Sequence, residues 1–179
     1  MSAYRTRLAV LEDCEAIARV IARSAREVTT SHYTKRQVEG ALRGAFGVDT
    51  QLIKDGTYFV VTHASTEVIA CGGWSRRSTL FGSDQRADRE PGELDPRTDF
   101  ARIRAFFVDP AHLRKGAASL LLERCESAAR EAGFSRFELM GTLSGVPFYE
   151  VRGYIVTKPV AYELEPGLSI DFQAMRKTD

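Results

Sequence analysis

The pattern of apolar and polar residues divides the first part of the chain into a strand followed by helices. Tyr4–Val10 is predicted to be the first strand. Apolar positions then recur at intervals of three and four residues, the spacing of an amphipathic helix, at Ile17, Val20, Ile21, Ser24 and Val28. A second helix is predicted to begin at Thr34, because Thr34 and Gln37 have the spacing of a capping box.

Turn and strand signals dominate the next part of the chain. The turn signal Asp55-Gly56 leads into a predicted strand Thr57–His63, and a second turn leads into a strand Val68–Ser75. These two strands are expected to form a hairpin. Arg76–Thr98 is polar and broken by glycine and proline, so it is predicted to be a long loop over the active-site side.

The second half of the chain alternates strands and helices. Ala101–Val108 is predicted to be a strand, and Gly116–Ala132 has the apolar stripe of a helix that Gly133 ends. The remaining predicted elements are the strand Phe137–Gly141, a short helix that Ser144 caps and that runs through Arg152, and the strands Tyr154–Glu163 and Leu168–Met175.

These elements, without a linker or an internal repeat, indicate an α/β fold of the α+β type in a single domain over residues 1–179. The core of the domain would cover about residues 4–163, with the C-terminal strand 168–175 added to it. Because that last strand could lie at a sheet edge and pair with a second copy, a homodimer is a candidate assembly.

Composition and charge exclude several classes of function. With 44% hydrophobic and 27% charged residues among 179, the chain has the composition of a soluble globular protein. A formal net charge of +1 gives no reason to expect a nucleic-acid or membrane partner, and no apolar run could span a bilayer. The N-terminus lacks the apolar stretch of a signal peptide, so a cytoplasmic location is expected.

Cysteine and histidine spacing gives no sign of a disulfide or of a metal site. Cys14, Cys71 and Cys125 lie far apart in the sequence and form no paired motif. The three histidines are equally scattered. We therefore expect free thiols and no bound metal.

One segment has the character of an anion-binding site. A strand stops at Pro110, and a helix then begins at a run of glycine and alanine. The first amides of a helix lack internal partners and lie at the positive end of its dipole, so a phosphate binds there when small side chains let it approach. The residues predicted to hold a pyrophosphate are Arg114, Lys115, Gly116, Ala117, Ala118 and Ser119.

Two other interpretations of this segment stay open. The small residues could serve only to pack the helix on the sheet, with Arg114 and Lys115 as solvated charges. The helix start could alternatively bind a nucleotide, but the chain has neither a Gly-x-x-x-x-Gly-Lys-Ser/Thr nor a Gly-x-Gly-x-x-Gly sequence. The strong strand before the turn and the amphipathic helix after it favour a phosphate-binding role.

Two motifs resemble those of the GNAT superfamily of N-acetyltransferases. The segment 108–118 (VDPAHLRKGAA) is similar to the acetyl-CoA-binding motif of that family, Gln/Arg-x-x-Gly-x-Gly/Ala after a strand. The segment 148–154 (FYEVRGY) resembles the downstream signature Phe-Tyr-x-x-x-Gly-Phe. Leu113 replaces the usual glutamine or arginine, and Thr142 stands where many members have asparagine. The resemblance implies a mixed, mostly antiparallel sheet of about seven strands flanked by about four helices.

The resemblance also implies a mechanism in which acetyl-CoA is the cosubstrate and no metal takes part. It implies a bulge in the fourth strand at Phe107 and Val108, where a backbone amide polarises the thioester carbonyl and the pantetheine arm pairs with the strand edge. Tyr149 matches the general acid, because a phenol with a pKa of about 10 is protonated at neutral pH and can give its proton to a thiolate. The general base stays open among Asp99, Glu138 and a water chain.

The acceptor is expected to be the amine of a small molecule. Tyr33 and Trp74 are candidates for an aromatic pocket around it, although the single tryptophan could equally be a packing residue at a strand end. Three loop arginines would instead suit an anionic acceptor: Arg76, Arg77 and Arg86. The alternative functions are acetylation of a protein amine and a CoA-binding or sensor module without catalysis.

Overall fold

The protein is described by a computed structural model that covers residues 4–64, 67–85 and 92–179. Its strands are β1 (Tyr4–Leu8), β2 (Tyr58–His63), β3 (Glu67–Ser75), β4 (Ala101–Val108), β5 (Arg136–Thr142), β6 (Ile155–Glu165) and β7 (Leu168–Thr178). They form a seven-stranded sheet in the order β1-β2-β3-β4-β5-β7-β6. Neighbouring strands are antiparallel except for β4 and β5, which confirms the predicted mixed, mostly antiparallel sheet.

Five α-helices flank the sheet in the described residues, in agreement with the predicted number of about four. They are α1 (Cys14–Val28), α2 (Lys35–Ala41), α3 (Thr50–Lys54), α4 (Ala117–Glu131) and α5 (Val146–Glu150), and 3₁₀ turns lie at Leu11–Asp13 and Pro110–His112. The additional helix, α3, is one turn long and so has no periodic stripe in the sequence. Asp49 caps it by accepting hydrogen bonds from the amides of Gln51 and Leu52.

The sheet is covered on both faces because alternate residues of each strand point to opposite sides. On one face, Phe59 and Val61 of β2 share a core with residues of α4, among them Leu121. On the other face, Tyr58 and Val60 share a second core with residues of α1 and α2. Among the described residues, no helix is long and apolar enough to cross a membrane.

The C-terminal strand lies inside the sheet, so its predicted position at the edge is wrong. β7 pairs with β5 on one side and with β6 on the other. Burial explains this order, since β7 has buried Ile170, Phe172 and Ala174 while most of β6 is exposed. The outer strands of the described sheet are therefore β1 and β6.

The predicted cap of the short helix is also wrong. The N-cap residue of α5 is Gly145, and no side chain caps the helix. The Ser144 hydroxyl instead lies 3.3 Å from the Thr142 hydroxyl, in the turn that precedes the helix. The prediction of free cysteines is confirmed, with Cys71 and Cys125 buried and Cys14 partly exposed.

Candidate cofactor and catalytic site

A cavity of about 740 Å³ opens where the two parallel strands of the sheet separate. β4 and β5 pair only over Ala101–Ile103 and Phe137–Leu139, and beyond these residues they have no ladder pairing. Both strands then line the cavity, as does the start of α4. The edge of β4 that faces β5 consequently has backbone groups available to a ligand.

A bulge in β4 accompanies this separation. The register with β3 changes from Cys71 opposite Phe107 to Gly73 opposite Arg104, so β4 has one additional residue. Ala105 adopts the left-handed conformation, with φ of 52°. Because a bulge bends its strand, this residue helps to turn β4 away from β5.

Buried neighbours fix the bulge. The Tyr58 hydroxyl donates a hydrogen bond of 3.3 Å to the Ala105 carbonyl, and the Cys71 thiol lies 3.9 Å from the same oxygen. A Cβ atom at Gly72 would lie 2.6 Å from the Phe106 ring, so glycine is needed opposite the bulge. The bulge is therefore centred at Ala105–Phe106, slightly before the predicted Phe107 and Val108, although both of these line the cavity.

The predicted phosphate turn has an exposed backbone at the start of α4. Gly116 is the N-cap with φ of 91°, and Arg114 is also left-handed with φ of 56°. A Cβ atom at Gly116 would meet no atom within 4 Å, so the space in front of the turn is open. The first hydrogen bond from the helix to Gly116 is donated by Leu120, which leaves the amides of residues 117–119 for an anion.

The predicted cations at this turn, Arg114 and Lys115, are joined by one that was not predicted. Arg114 is exposed, whereas the Lys115 ammonium donates 2.8 Å back to the Ala111 carbonyl. A third cation, Arg152, lines the cavity, contacts the Ser119 hydroxyl and stacks on Phe148 with its guanidinium carbon 3.9 Å from the ring centroid. Arg152 could not be predicted from the sequence because it occupies a variable position of the signature, and only folding brings it to the helix start.

Tyr149 lies on α5 and lines the same cavity. Its ring packs against Phe106, Phe148 and Tyr154 at centroid distances of 6.1, 5.1 and 5.7 Å, and the residue is 7% exposed. Its hydroxyl has no hydrogen-bond partner among residues 4–64, 67–85 and 92–179. Burial raises the pKa of Tyr149 well above its ordinary value, so the phenol stays protonated at neutral pH.

The structure does not bring Tyr33 and Trp74 together into a pocket, because they lie in cores on opposite faces of the sheet. The Tyr33 hydroxyl donates to the Asp171 carbonyl at 2.6 Å and accepts from the Leu143 amide at 2.9 Å. Burial raises the pKa of Tyr33 to about 12. Trp74 packs against Phe134, 5.8 Å between centroids. Neither side chain lines the cavity.

A different aromatic group lines the cavity on the face of α1 and α2. It consists of Phe46, Phe81, Phe107 and Phe172. Phe46 contacts Phe107 and Phe172 at centroid distances of 5.5 and 6.0 Å, and Phe81 lies 5.6 Å from Phe172. Phe81 belongs to the predicted long loop, whose described part therefore borders the cavity, whereas residues 86–91 lie outside the described residues.

Neither carboxylate considered as a general base borders the cavity. Glu138 pairs with Arg102 and with Arg176, the latter at 3.0 Å, and Asp99 accepts a hydrogen bond from the Asp95 amide at 2.7 Å. Within the described part of the chain no aspartate or glutamate lines the cavity. His32, an exposed residue after α1, does line it and offers a basic nitrogen.

The predicted anion-binding arginines of the loop are engaged elsewhere. Arg77 forms an ion pair of 2.7 Å with Asp55, and Arg76 lies 3.8 Å from Glu93. Arg86 lies outside the described residues. A fully buried guanidinium does border the cavity, that of Arg104, which pairs with Asp49 at 2.7 Å and donates to the Gly82 carbonyl at 2.8 Å.

Comparison with known proteins gives a match to one family and many similar structures. The model of the acetyltransferase (GNAT) family matches residues 22–154. No curated protein sequence matches the chain. A GCN5-related N-acetyltransferase of Rhodopseudomonas palustris is 15% identical with a TM-score of 0.74, and the alignment covers 100% of this chain and 98% of that one.

Two further structures have the same fold at similar identity. The PaiA N-acetyltransferase of Thermoplasma acidophilum, solved in complex with coenzyme A, is 15% identical with a TM-score of 0.66 over 98% of this chain and 99% of that one. The ribosomal-protein-S18-alanine N-acetyltransferase of Escherichia coli is 15% identical with a TM-score of 0.60, over 98% and 93%. These likenesses show the fold.

Proposed function

Because the chain belongs to the GNAT acetyltransferase family, we propose that it transfers the acetyl group of acetyl-CoA to an amine. One observation carries this proposal: the cavity between β4 and β5 joins the exposed helix start at Gly116 to Tyr149. A single ligand could therefore place a phosphate at one end and a thioester near the tyrosine. The coenzyme A bound by the similar Thermoplasma acidophilum protein supports this choice of ligand.

Acetyl-CoA would bind along the line of the cavity. The pyrophosphate would accept hydrogen bonds from the amides of residues 117–119, with Arg114, Lys115 and Arg152 as the neighbouring cations. The pantetheine arm would pair with the free edge of β4 at Phe107 and Val108. This arrangement needs no metal, because the helix start and the arginines supply the positive charge.

The chemistry requires one proton to move from the amine to the thiol. The neutral amine attacks the thioester carbonyl, an N–C bond forms, and the C–S bond breaks. Tyr149 gives its proton to the departing thiolate, and the proton lost by the attacking nitrogen restores the phenol through water or a base such as His32. The raised pKa of Tyr149 keeps the phenol protonated at neutral pH, which is the state that a general acid requires.

The aromatic lining indicates the class of acceptor. Phe46, Phe81 and Phe172 present an apolar surface on the side of the cavity opposite α4 and α5. An amine with an aromatic or aliphatic body would bury its surface there. We therefore propose a small-molecule amine as the acceptor, with the amine of a protein as the alternative.

The single domain, the cytoplasmic location and the homodimer stay predictions. Sedimentation velocity tests the homodimer.

Two measurements test the enzyme proposal. Calorimetric titration with acetyl-CoA tests the cofactor, and release of free thiol across a panel of aromatic amines, aliphatic amines and peptides tests the transfer. Absence of binding at millimolar acetyl-CoA would contradict the cofactor assignment. The panel distinguishes the small-molecule acceptor from the protein acceptor.

Removal of one hydroxyl tests the role of Tyr149. Tyr149→Phe should lower kcat about a hundredfold, the typical contribution of a general acid, and leave the Kd of acetyl-CoA almost unchanged. The matched control is Tyr154→Phe, which removes the hydroxyl that donates to Glu126 and should leave kcat within about threefold of the unchanged protein, because it acts on stability. A fully active Tyr149→Phe variant would remove Tyr149 from the mechanism.

A CoA-binding module without catalysis is the second candidate. The observation that favours it is the lack of a carboxylate in the cavity lining, within the residues that the structure describes. It predicts tight binding of acetyl-CoA with no thiol release on any acceptor. Turnover with any amine of the panel would exclude it.

A further inference from the structure

Three side chains that commonly bind metals meet beside the phosphate turn. One ring nitrogen of His63, one of His112 and a carboxylate oxygen of Glu67 all lie within 4.8 Å of one another. The two imidazole centroids are 4.9 Å apart. His63 and Glu67 face each other across the β2–β3 ladder, and His112 ends the 3₁₀ turn Pro110–His112 that leads into the phosphate turn.

The ligand atoms of this group are available. The side chains of His63 and Glu67 have no hydrogen bond or ion pair within the described residues. His112 has one, since its Nδ1 lies 3.0 Å from the Tyr4 hydroxyl, and its Nε2 has no hydrogen bond within the described residues. A hydrogen bond to the second ring nitrogen is the usual way in which a metal-binding histidine is oriented.

The donor set distinguishes among metals. Two imidazoles and one carboxylate suit Zn²⁺ and similar transition metals, whereas Ca²⁺ and Mg²⁺ prefer oxygen ligands alone. Tetrahedral bonds of about 2.1 Å place ligand atoms about 3.4 Å apart, so atoms that now lie up to 4.8 Å apart need to close by up to about 1.4 Å. Glu67 is exposed and both histidines are partly exposed, which gives them the freedom to do so.

We propose that His63, Glu67 and His112 form a binding site for a divalent transition metal, with Zn²⁺ as the best match and water at the fourth position. The sequence-based expectation of no metal rested on scattered histidines, and the fold brings two of the three together. His63 and Glu67 lie outside the lining of the proposed acetyl-CoA cavity, whereas His112 borders that cavity next to the phosphate turn. The metal would join the β2–β3 hairpin to the segment that precedes the phosphate turn.

Metal titration of tag-free protein without acetyl-CoA tests the site independently of the enzyme proposal. Co²⁺ should bind in a one-to-one ratio with the visible absorption of a tetrahedral ion, and Zn²⁺ should displace it. Calorimetry with Zn²⁺ then gives the affinity. Absence of both the Co²⁺ spectrum and a stoichiometric Zn²⁺ isotherm would overturn the proposal, whatever the result with acetyl-CoA.

Single substitutions assign the ligands. His63→Ala, His112→Ala and Glu67→Gln should each weaken Zn²⁺ binding by about tenfold or more, since each removes one bond to the metal. Glu67→Gln preserves the shape of an exposed side chain, so its effect would not come from unfolding. The matched control is His32→Ala, which removes the third histidine and should retain the Zn²⁺ affinity. Loss of affinity in the control, or retention in all three ligand variants, would overturn the assignment.

Discussion

Gly116 shows how a single residue can serve both the backbone and a ligand. Its left-handed conformation turns the chain into α4, and the space that a side chain would enter is open. A methyl group there would stand where the phosphate of acetyl-CoA is proposed to approach. The residue should therefore matter more for binding than for stability.

Gly116→Ala should lower both the stability of the protein and its affinity for acetyl-CoA, and the loss of affinity should be the larger effect. Alanine in a left-handed conformation costs about 1 kcal/mol of stability. We also expect the Kd of acetyl-CoA to rise about tenfold, which corresponds to about 1.4 kcal/mol. Denaturant unfolding and calorimetry measure the two effects on the same protein.

A second glycine provides the control for this variant. Gly167 has φ of 78° and lies in the β6–β7 turn, outside the cavity lining. A Cβ atom at Gly167 would also meet no atom within 4 Å. Gly167→Ala should lose a similar amount of stability and bind acetyl-CoA with unchanged Kd. Equal Kd values in both variants would show that the Gly116 turn does not contact the cofactor.

At the scale of elements, a buried ion pair joins α3 to the bulged strand. Asp49 is fully buried, caps α3 and contacts the guanidinium of Arg104 at 2.7 Å. Arg104 immediately precedes Ala105, so the pair ties the bulge to the helix. Removal of one charge would leave the other buried without its counter-ion, which is far more costly than loss of a surface pair.

Asp49→Asn removes the negative charge but keeps the helix cap, because asparagine is also a good N-cap residue. We expect the free energy of unfolding to fall by about 3 kcal/mol. The control is Glu165→Gln, which removes the charge from exposed pairs with Arg36 and Arg43 and should cost about 0.5 kcal/mol or less. Similar unfolding curves for both variants would mean that the buried pair adds little.

Local signals in the sequence were sufficient to predict most elements. The periodic stripe of α1, the capping box at Thr34 and the run Ala101–Val108 each determine structure within a few residues, and each is found as predicted. α3 is too short to produce a stripe. The position of β7 between β5 and β6 depends on pairings between distant residues, and the sequence pattern does not specify such partners.

The candidate site also has some features that neighbouring residues determine and others that depend on residues far apart in the sequence. The phosphate turn could be predicted because its residues are consecutive, and the structure gives it an open, left-handed start. The aromatic lining and Arg152 could not, since they come from separate elements that meet only in the folded chain. Tyr33 and Trp74 have suitable chemistry, but the side of the sheet that each one faces is a property of the whole fold.

At the scale of the whole molecule, two carboxylates each connect the end of a helix to a strand or to the segment that follows a strand. Asp13, before α1, accepts hydrogen bonds of 2.7 and 2.8 Å from Arg7 of β1. Asp55, after α3, accepts hydrogen bonds of 2.7 and 2.8 Å from Arg77, which follows β3. In both pairs the hydrogen bonds from arginine lower the pKa of the carboxyl group below its ordinary value.

These lowered pKa values give the stability a defined dependence on pH. A carboxyl group with a lower pKa in the folded state binds fewer protons there than in the unfolded state. Its contribution is therefore complete above the ordinary aspartate pKa of about 3.9, and it is lost as the pH falls through the lowered value. The free energy of unfolding should change little between about pH 7 and 5 and decrease below about pH 4.

Substitution of both carboxylates tests this origin. The double variant Asp13→Asn and Asp55→Asn should be less stable at pH 7 and should lose less stability between pH 5 and 3, because asparagine takes up no proton. Glu15→Gln, in an exposed helical pair with Arg19, should preserve the acid decline of the unchanged protein. An unchanged decline in the double variant would assign the acid limit to other groups. A flattened decline would show that these two arginine pairs, which lie at the periphery of both cores, set the lowest pH at which the whole sheet stays assembled.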